Sequence, residues 1–285
     1  MSASNNIIRK RKNMWSLRVK STVIISVSLF ILLGMLIAGI FINKDALGVD
    51  LQQRNIPPSL EHLFGTDWLG RDMLARTLKG LSLSFAVGLL SVIISTFIAL
   101  LLSLLTMTNK VVDACITWLI DLFLSVPHIV LLILISFTFG GGFKGVVIGL
   151  ALTHWPSLTR LLRAEVLQIN TTEYVAISQK LGKTKAWVAA HHVLPHLLPQ
   201  LLIGAILLFP HAILHEAAIT FLGFGLSPET PAVGIILSEA MRYLSTGMWW
   251  LALFPGFSLL VMVGIFDILG RQLQKWIDPF SGDHL

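Results

Sequence analysis

His211 and His215 stand four residues apart in an apolar run, with Glu216 beside the second. On a helix that spacing sets both imidazoles on one face, about 6 Å apart. Neutral imidazole suits nickel, zinc, cobalt and copper, so the pair could chelate a divalent metal. Two ligands make a weak site, which fits a path that must release what it carries. The same spacing also fits two histidines that only hydrogen-bond to neighbouring helices. Ionisable groups at bilayer depth cost roughly 2.5–3.5 kcal/mol on insertion scales, which makes each one a functional candidate. Asp121, His128, Glu165 and Asp267 are weaker candidates of this kind. Asp121 and Asp267 fall near predicted helix ends, where capping or snorkelling accounts for them. His191, His192 and His196 read as a solvated turn beside Pro195.

Enzymatic patterns fail. A zinc-protease motif starting at His215-Glu216 needs a second histidine at position 219, which is Ile219. Gly182-Lys183-Thr184 mimics the tail of a phosphate-binding loop, but the required earlier glycine falls at Ile177 and no strand precedes it. No nucleophile–base set or complete metal-ligand set appears. The chain is read as binding no cofactor and hydrolysing no ATP.

The elements that position these residues are set by composition. Of 285 residues, 55% are hydrophobic and 13% charged, against about 25% charged in a soluble domain. Mean hydropathy is +0.80. This is an integral membrane protein. The single Cys115 has no partner for a disulfide. The net charge of +6 is clustered between apolar spans, which argues against nucleic acid. Six runs reach the ~20 residues that cross ~30 Å of hydrocarbon: 20–42, 81–106, 116–139, 145–162, 197–222 and 249–270. The first follows Arg9-Lys10-Arg11-Lys12 but is too long for a signal peptide and lacks a small-residue cleavage site, so it reads as a retained helix. Lys and Arg placement puts both termini in the cytoplasm. The segment 43–80 is then outside, where Asp45, Asp50, Glu61, Asp67 and Asp72 balance its basic residues. Pro127 and Pro210 are expected to kink their spans.

The segment 163–196 is a polar island on the basic side. Asn170 with Glu173, or Thr172 alone, can cap a helix start, and Gly182 can end that helix. Such a short surface helix fits a groove on a soluble partner, or is an ordinary solvated loop.

Motifs then add a family. Glu173, Tyr174, Val175, Ala176 and Gly182, followed by Val193-Leu194-Pro195, resemble the Glu-Ala-Ala loop of ABC importer permeases, with Ile177 and Ser178 in place of the alanine pair. His62 through Asp72, containing Gly65, Thr66, Asp67, Gly70, Arg71 and Asp72, resembles the signature of the second permease of dipeptide, oligopeptide and nickel importers. By composition alone that stretch is a tight, ion-paired turn, read as a structural plug rather than a substrate contact. Ser82 stands where the family usually has arginine. Asp121 to Pro127, Phe221-Leu222-Gly223-Phe224-Gly225, Pro228, Pro231, Gly234 and Asp278-Pro279 also match in order. Val233, Arg271 and Lys275 depart from the pattern.

The resemblance spans 20–279. It implies an all-α polytopic membrane protein with six transmembrane helices and the type I ABC importer permease fold, N-in/C-in. Residues 1–19 would be a basic cytoplasmic tail, 20–279 the permease domain and 280–285 a C-terminal tail. The implied partners are a homologous second permease, two ABC ATPase subunits that use the ATP and magnesium, an extracytoplasmic solute-binding protein and membrane lipid, all in a prokaryotic plasma membrane. Glu173 to Gly182 would form the coupling helix that contacts the ATPase. The nickel type resembles this chain in His211-x-x-x-His215 and in Thr153-His154-Trp155. The expected cargo is therefore nickel or a related divalent metal, bare or as a metallophore complex, with a di- or oligopeptide as the alternative. A secondary transporter or channel would need no ATPase partner, and the docking loop argues against one.

Overall fold

The computed structural model describes residues 2–42 and 47–277, with side chains described from Val19 to Ile42 and from Leu47 to Trp276. Asp45, Asp278-Pro279, the 280–285 tail and the side chains of the N-terminal basic cluster lie outside the described residues. Ten α-helices occur among the described residues: α1 (Ser2–Phe41), α2 (Met73–Leu105), α3 (Lys110–Ser125), α4 (His128–Thr138), α5 (Gly142–Asn170), α6 (Glu173–Lys180), α7 (Lys185–Val188), α8 (Leu194–Phe221), α9 (Val233–Ala240) and α10 (Trp250–Ile277). A π-helical turn, Ala189–Val193, joins α7 to α8. No named strand occurs among the described residues; a single antiparallel bridge pairs Thr66 with Asp72.

Five of the six predicted apolar runs fall within single helices, with altered limits. α1 extends back to Ser2 rather than leaving 1–19 as a separate tail. Lys and Arg are good helix formers, and no glycine or proline precedes Gly34. α5 runs on to Asn170, so the polar island begins inside a helix. The first turns of α2 lie within the 43–80 segment.

The third predicted span, 116–139, is broken. α3 and α4 meet at 100°. Pro127 explains the break: it disfavours helical backbone at the residue before it, and Val126 is accordingly extended at φ −91°, ψ 140°. Pro210, in contrast, stays within a continuous α8. By length and composition, four described helices can cross a membrane, or five if the bent pair is one span. α5 is 29 residues long, but Lys144, His154, Arg160 and Arg163 make it more polar than those four.

α2 sits at the centre, packed on α1, α5 and α8. Its buried face carries small residues at Gly80, Ser84, Gly88, Ser91, Ser95, Ala99 and Ser103, the pattern that lets membrane helices approach closely. A Cβ at Gly88 would meet Ile213 of α8 at 2.9 Å. Ser91 Oγ donates to Val87 O at 2.7 Å and is also 3.3 Å from Val147 O of α5. Ser82, at the departed family position, donates to Leu78 O at 3.1 Å and lies 3.3 Å from Leu36 O, so it faces α1 instead of pairing a charge. Large apolar side chains such as Phe30, Phe97, Phe257 and Leu260 face outward, as expected where hydrocarbon is the solvent.

Candidate functional site

Three histidines from three helices converge. His128 begins α4 immediately after Pro127, His154 lies in α5 two residues before Pro156, and His215 lies in α8 five residues after Pro210. Their ring centroids are 4.6 Å (128–154), 4.3 Å (128–215) and 5.3 Å (154–215) apart. One ring nitrogen from each lies within 4.8 Å of the others. His154 is buried, and its Nδ1 is 2.9 Å from Leu150 O. A carbonyl only accepts, so Nδ1 carries the proton and Nε2 is left with a lone pair. That Nε2 lies 3.3 Å from His215 Nδ1. His128 Nδ1 is buried with no hydrogen-bond partner. Nitrogen atoms so placed can hold a metal or form a neutral hydrogen-bonded cluster.

This set differs from the expected one. His215 belongs to it, whereas His211 is exposed on the preceding turn of α8 and does not. Glu216 is fully buried on another face, where its Oε1 accepts from Thr220 Oγ1 at 2.9 Å and the Ser84 hydroxyl of α2 also faces it. In the sequence His128 is only one of the weaker intramembrane candidates, and His154 is marked only by its tripeptide with Thr153 and Trp155. The readable signal for both was a proline one or two residues away, since proline marks where helices bend and side chains can be redirected. Asp121 and Asp267 instead form exposed ion pairs with Arg160 (2.7 Å) and Arg271 (2.8 Å).

The 62–72 turn holds its charges inward. Asp67 is fully buried. Its Oδ1 accepts from the amides of Leu69 and Arg71, each at 2.9 Å, and its Oδ2 from Arg71 Nε and Arg76 Nη1, each at 2.7 Å. Arg76 Nη2 continues to Glu239 Oε2 of α9 at 2.8 Å. Asp72 caps α2 through Ala75 N at 2.9 Å and meets His62 Nδ1 at 2.8 Å. Trp250 Nε1 donates to Thr66 O at 3.2 Å. Gly65 and Gly70 have φ +71° and +76°, and a Cβ at Gly70 would fall 1.7 Å from Asp50 O. The ion-paired turn was legible in the sequence; Arg76 and Glu239 as its distant partners were not.

The polar island forms the short helix α6, as its capping residues predict, though by other bonds. Thr172 Oγ1 donates back to Ile169 O at 2.6 Å and does not cap α6. At the far end Gly182, φ +81°, donates to Gln179 O at 3.0 Å and Lys183 N to Ser178 O at 3.1 Å, the paired bonds of a Schellman stop. Val175 is the buried anchor of α6, packed in the cluster that contains Val166, Ile169, Val188 and Leu197. Glu173, Tyr174, Ala176, Ile177 and Leu181 are exposed. Ser178 bonds His192 at 2.9 Å, His191 stacks on Trp187 at 4.3 Å, and Lys185 donates to Thr108 O at 2.7 Å. Of the three histidines expected in a solvated turn, His192 instead braces α6, while His191 and His196 are exposed. At the same end of the bundle, Arg163 of α5 grips Asp113 of α3 through two bonds, at 2.5 and 2.7 Å.

A family described as "Binding-protein-dependent transport system inner membrane component" matches residues 91–280. The dipeptide transport system permease protein of Bacillus subtilis (strain 168) is 29% identical over 267 residues, covering 92% of this chain and 83% of its own length. A putative peptide transport system permease protein of Brucella suis is 31% identical over 251 residues, 88% of this chain and 84% of its own. A putative peptide permease protein of the same organism is 33% identical over 233 residues, covering 81% and 77%.

Proposed function

The chain belongs to the inner-membrane components of binding-protein-dependent transport systems, and from that membership we propose that it forms half of the translocation path of an ATP-driven importer of small peptides. It is a multi-pass membrane protein and a translocation subunit, not an enzyme. Its assembly pairs it with a second, homologous permease, two ATPase subunits and an extracytoplasmic binding protein. α5 and the bent α3–α4 pair count as spans, which gives six in all. α6 is cytoplasmic, and both termini lie on that side.

The observation that carries the coupling role is α6 itself: one buried residue, Val175, beneath an exposed face with Tyr174, Ile177 and Leu181. A short helix with apolar residues outward at the polar end of a membrane bundle is suited to a groove on a soluble subunit. In the proposed cycle, ATP binding closes the ATPases, and their motion reaches α6. Val175 and its neighbours pass it to α5 and α8, and the path opens toward the binding protein. Hydrolysis resets it inward.

The relatives' names, dipeptide and peptide permeases, favour peptide cargo over the nickel expected from His211 and His215. A second reading, nickel or a related divalent metal, bare or in a metallophore, draws on the three-histidine cluster. The deciding experiment is uptake of labelled dipeptide and labelled nickel by cells expressing the complete transporter, each with excess of the other. Dipeptide uptake indifferent to nickel supports the first reading. Nickel uptake indifferent to peptides replaces it with the second, and uptake of neither sinks both.

A further inference from the structure

We propose that His128, His154 and His215 form a binding site for a divalent transition-metal ion of the nickel, cobalt, zinc and copper class, held by three imidazole nitrogens with its remaining positions open. Metal–imidazole bonds of about 2.0–2.1 Å place neighbouring ligand nitrogens at about 2.9–3.4 Å for octahedral or tetrahedral angles. His154 Nε2 and His215 Nδ1 already stand 3.3 Å apart. The third ring needs only a small rotation, since its nitrogen lies within 4.8 Å of both.

Two further observations point to a ligand. Metal-bound histidines usually donate their second N–H to a backbone carbonyl or carboxylate, which fixes the tautomer and aims the lone pair. His154 does this through Leu150 O at 2.9 Å. His128 Nδ1 is buried without a partner, a costly state that a bound ion or water relieves. The site also joins three helices that pack on one another, and one of them, α4, starts at the 100° break. Motion at that break would move His128 away from the other two and open the site.

Ligand charge indicates a loose grip. The nearest acid in sequence, Glu216, faces Thr220 and Ser84 instead, so the ion's double charge is not neutralised by this ligand set. Such a site binds and releases, as a relay on a path does. The site's transport role rests on the metal reading of the cargo, whereas its existence does not.

The test is direct binding. The complete transporter, purified through a tag without histidines and stripped with chelator, is brought to equilibrium with Co²⁺ by dialysis, so that a loosely held ion is not lost. Bound metal and the visible cobalt bands are then measured. The expected result is one ion per copy of this chain, with affinity at least tenfold weaker in His128→Ala and His154→Ala and unchanged in His196→Ala, an exposed histidine outside the set. Equal binding in all variants, or none in wild type at millimolar Co²⁺, overturns the site. Should a variant fail to assemble, nickel-edge X-ray absorption on wild type decides: about three imidazoles per ion support the site, and one or none overturns it. If the site binds metal while uptake is of peptide and indifferent to nickel, the site stands and the metal-cargo reading falls.

Discussion

Arg76 on α2 and Glu239 on α9 meet at 2.8 Å although 163 residues separate them, and the same guanidinium holds the fully buried Asp67 at 2.7 Å. One arginine thus fastens the signature turn to two helices. Breaking a buried pair by removing one partner typically costs about 3–5 kcal/mol, because the other charge stays buried and unpaired.

Asp67→Ala is accordingly expected to cost about 3–5 kcal/mol, since it strips Arg71, Arg76 and two backbone amides of their acceptor at once. Glu239→Gln, at a partly exposed carboxylate, should cost far less. Thermal unfolding of the purified transporter reads both. An Asp67→Ala protein as stable as wild type would refute the clamp.

Gly70 and Gly182 should respond differently to alanine although both have positive φ (+76° and +81°). At Gly182 nothing lies within 4 Å of the added carbon, so only the left-handed backbone penalty of about 1–2 kcal/mol applies. At Gly70 the carbon would sit 1.7 Å from Asp50 O, and the turn must deform. Expression and assembly yield should fall sharply for Gly70→Ala and little for Gly182→Ala. Equal yields would contradict the difference in packing.

These contrasts show what the sequence could reveal. Apolar run length marked the long helices, four or five of which can cross a membrane, because bilayer thickness leaves little choice of element. Gly182 marked the end of α6, and Pro127 a distortion, because both act on their own backbone. The residues that meet across helices were harder to read. Arg76 and Glu239 are separated by most of the chain, and no period links them. His211 and His215 share a local spacing, which pairs them on one helical face. Helix packing instead turned His215 toward His154 and His128 and left His211 outside. Local geometry is written in neighbouring residues, while a site built from three helices depends on the rotation of each.

Gly88 should tolerate no large side chain. A Cβ there already meets Ile213 at 2.9 Å, so Gly88→Leu forces α2 away from α8, an overpacking cost of about 1–3 kcal/mol or more. Reduced thermal stability of the assembled transporter checks this. Unchanged stability would mean that the two helices do not pack so closely.

Val175→Ala should loosen α6 without removing its outer face. Losing buried methyl groups at this fully buried position costs about 2 kcal/mol. ATP hydrolysis should persist, while its stimulation by the binding protein and the uptake per ATP should both drop. Full coupling in this variant would show that motion does not pass through Val175.

The most direct measurement is uptake by proteoliposomes containing both permeases and both ATPases, with labelled dipeptide, binding protein and ATP supplied separately and together, for wild type and Ile177→Glu. Ile177 lies on the exposed face of α6, so a charge there should disturb docking and spare the fold. The account predicts uptake only when ATP and binding protein are both present, and loss of that uptake with weakened ATPase association in the variant. Uptake that proceeds without ATP, or an Ile177→Glu transporter that docks and imports as well as wild type, would contradict it.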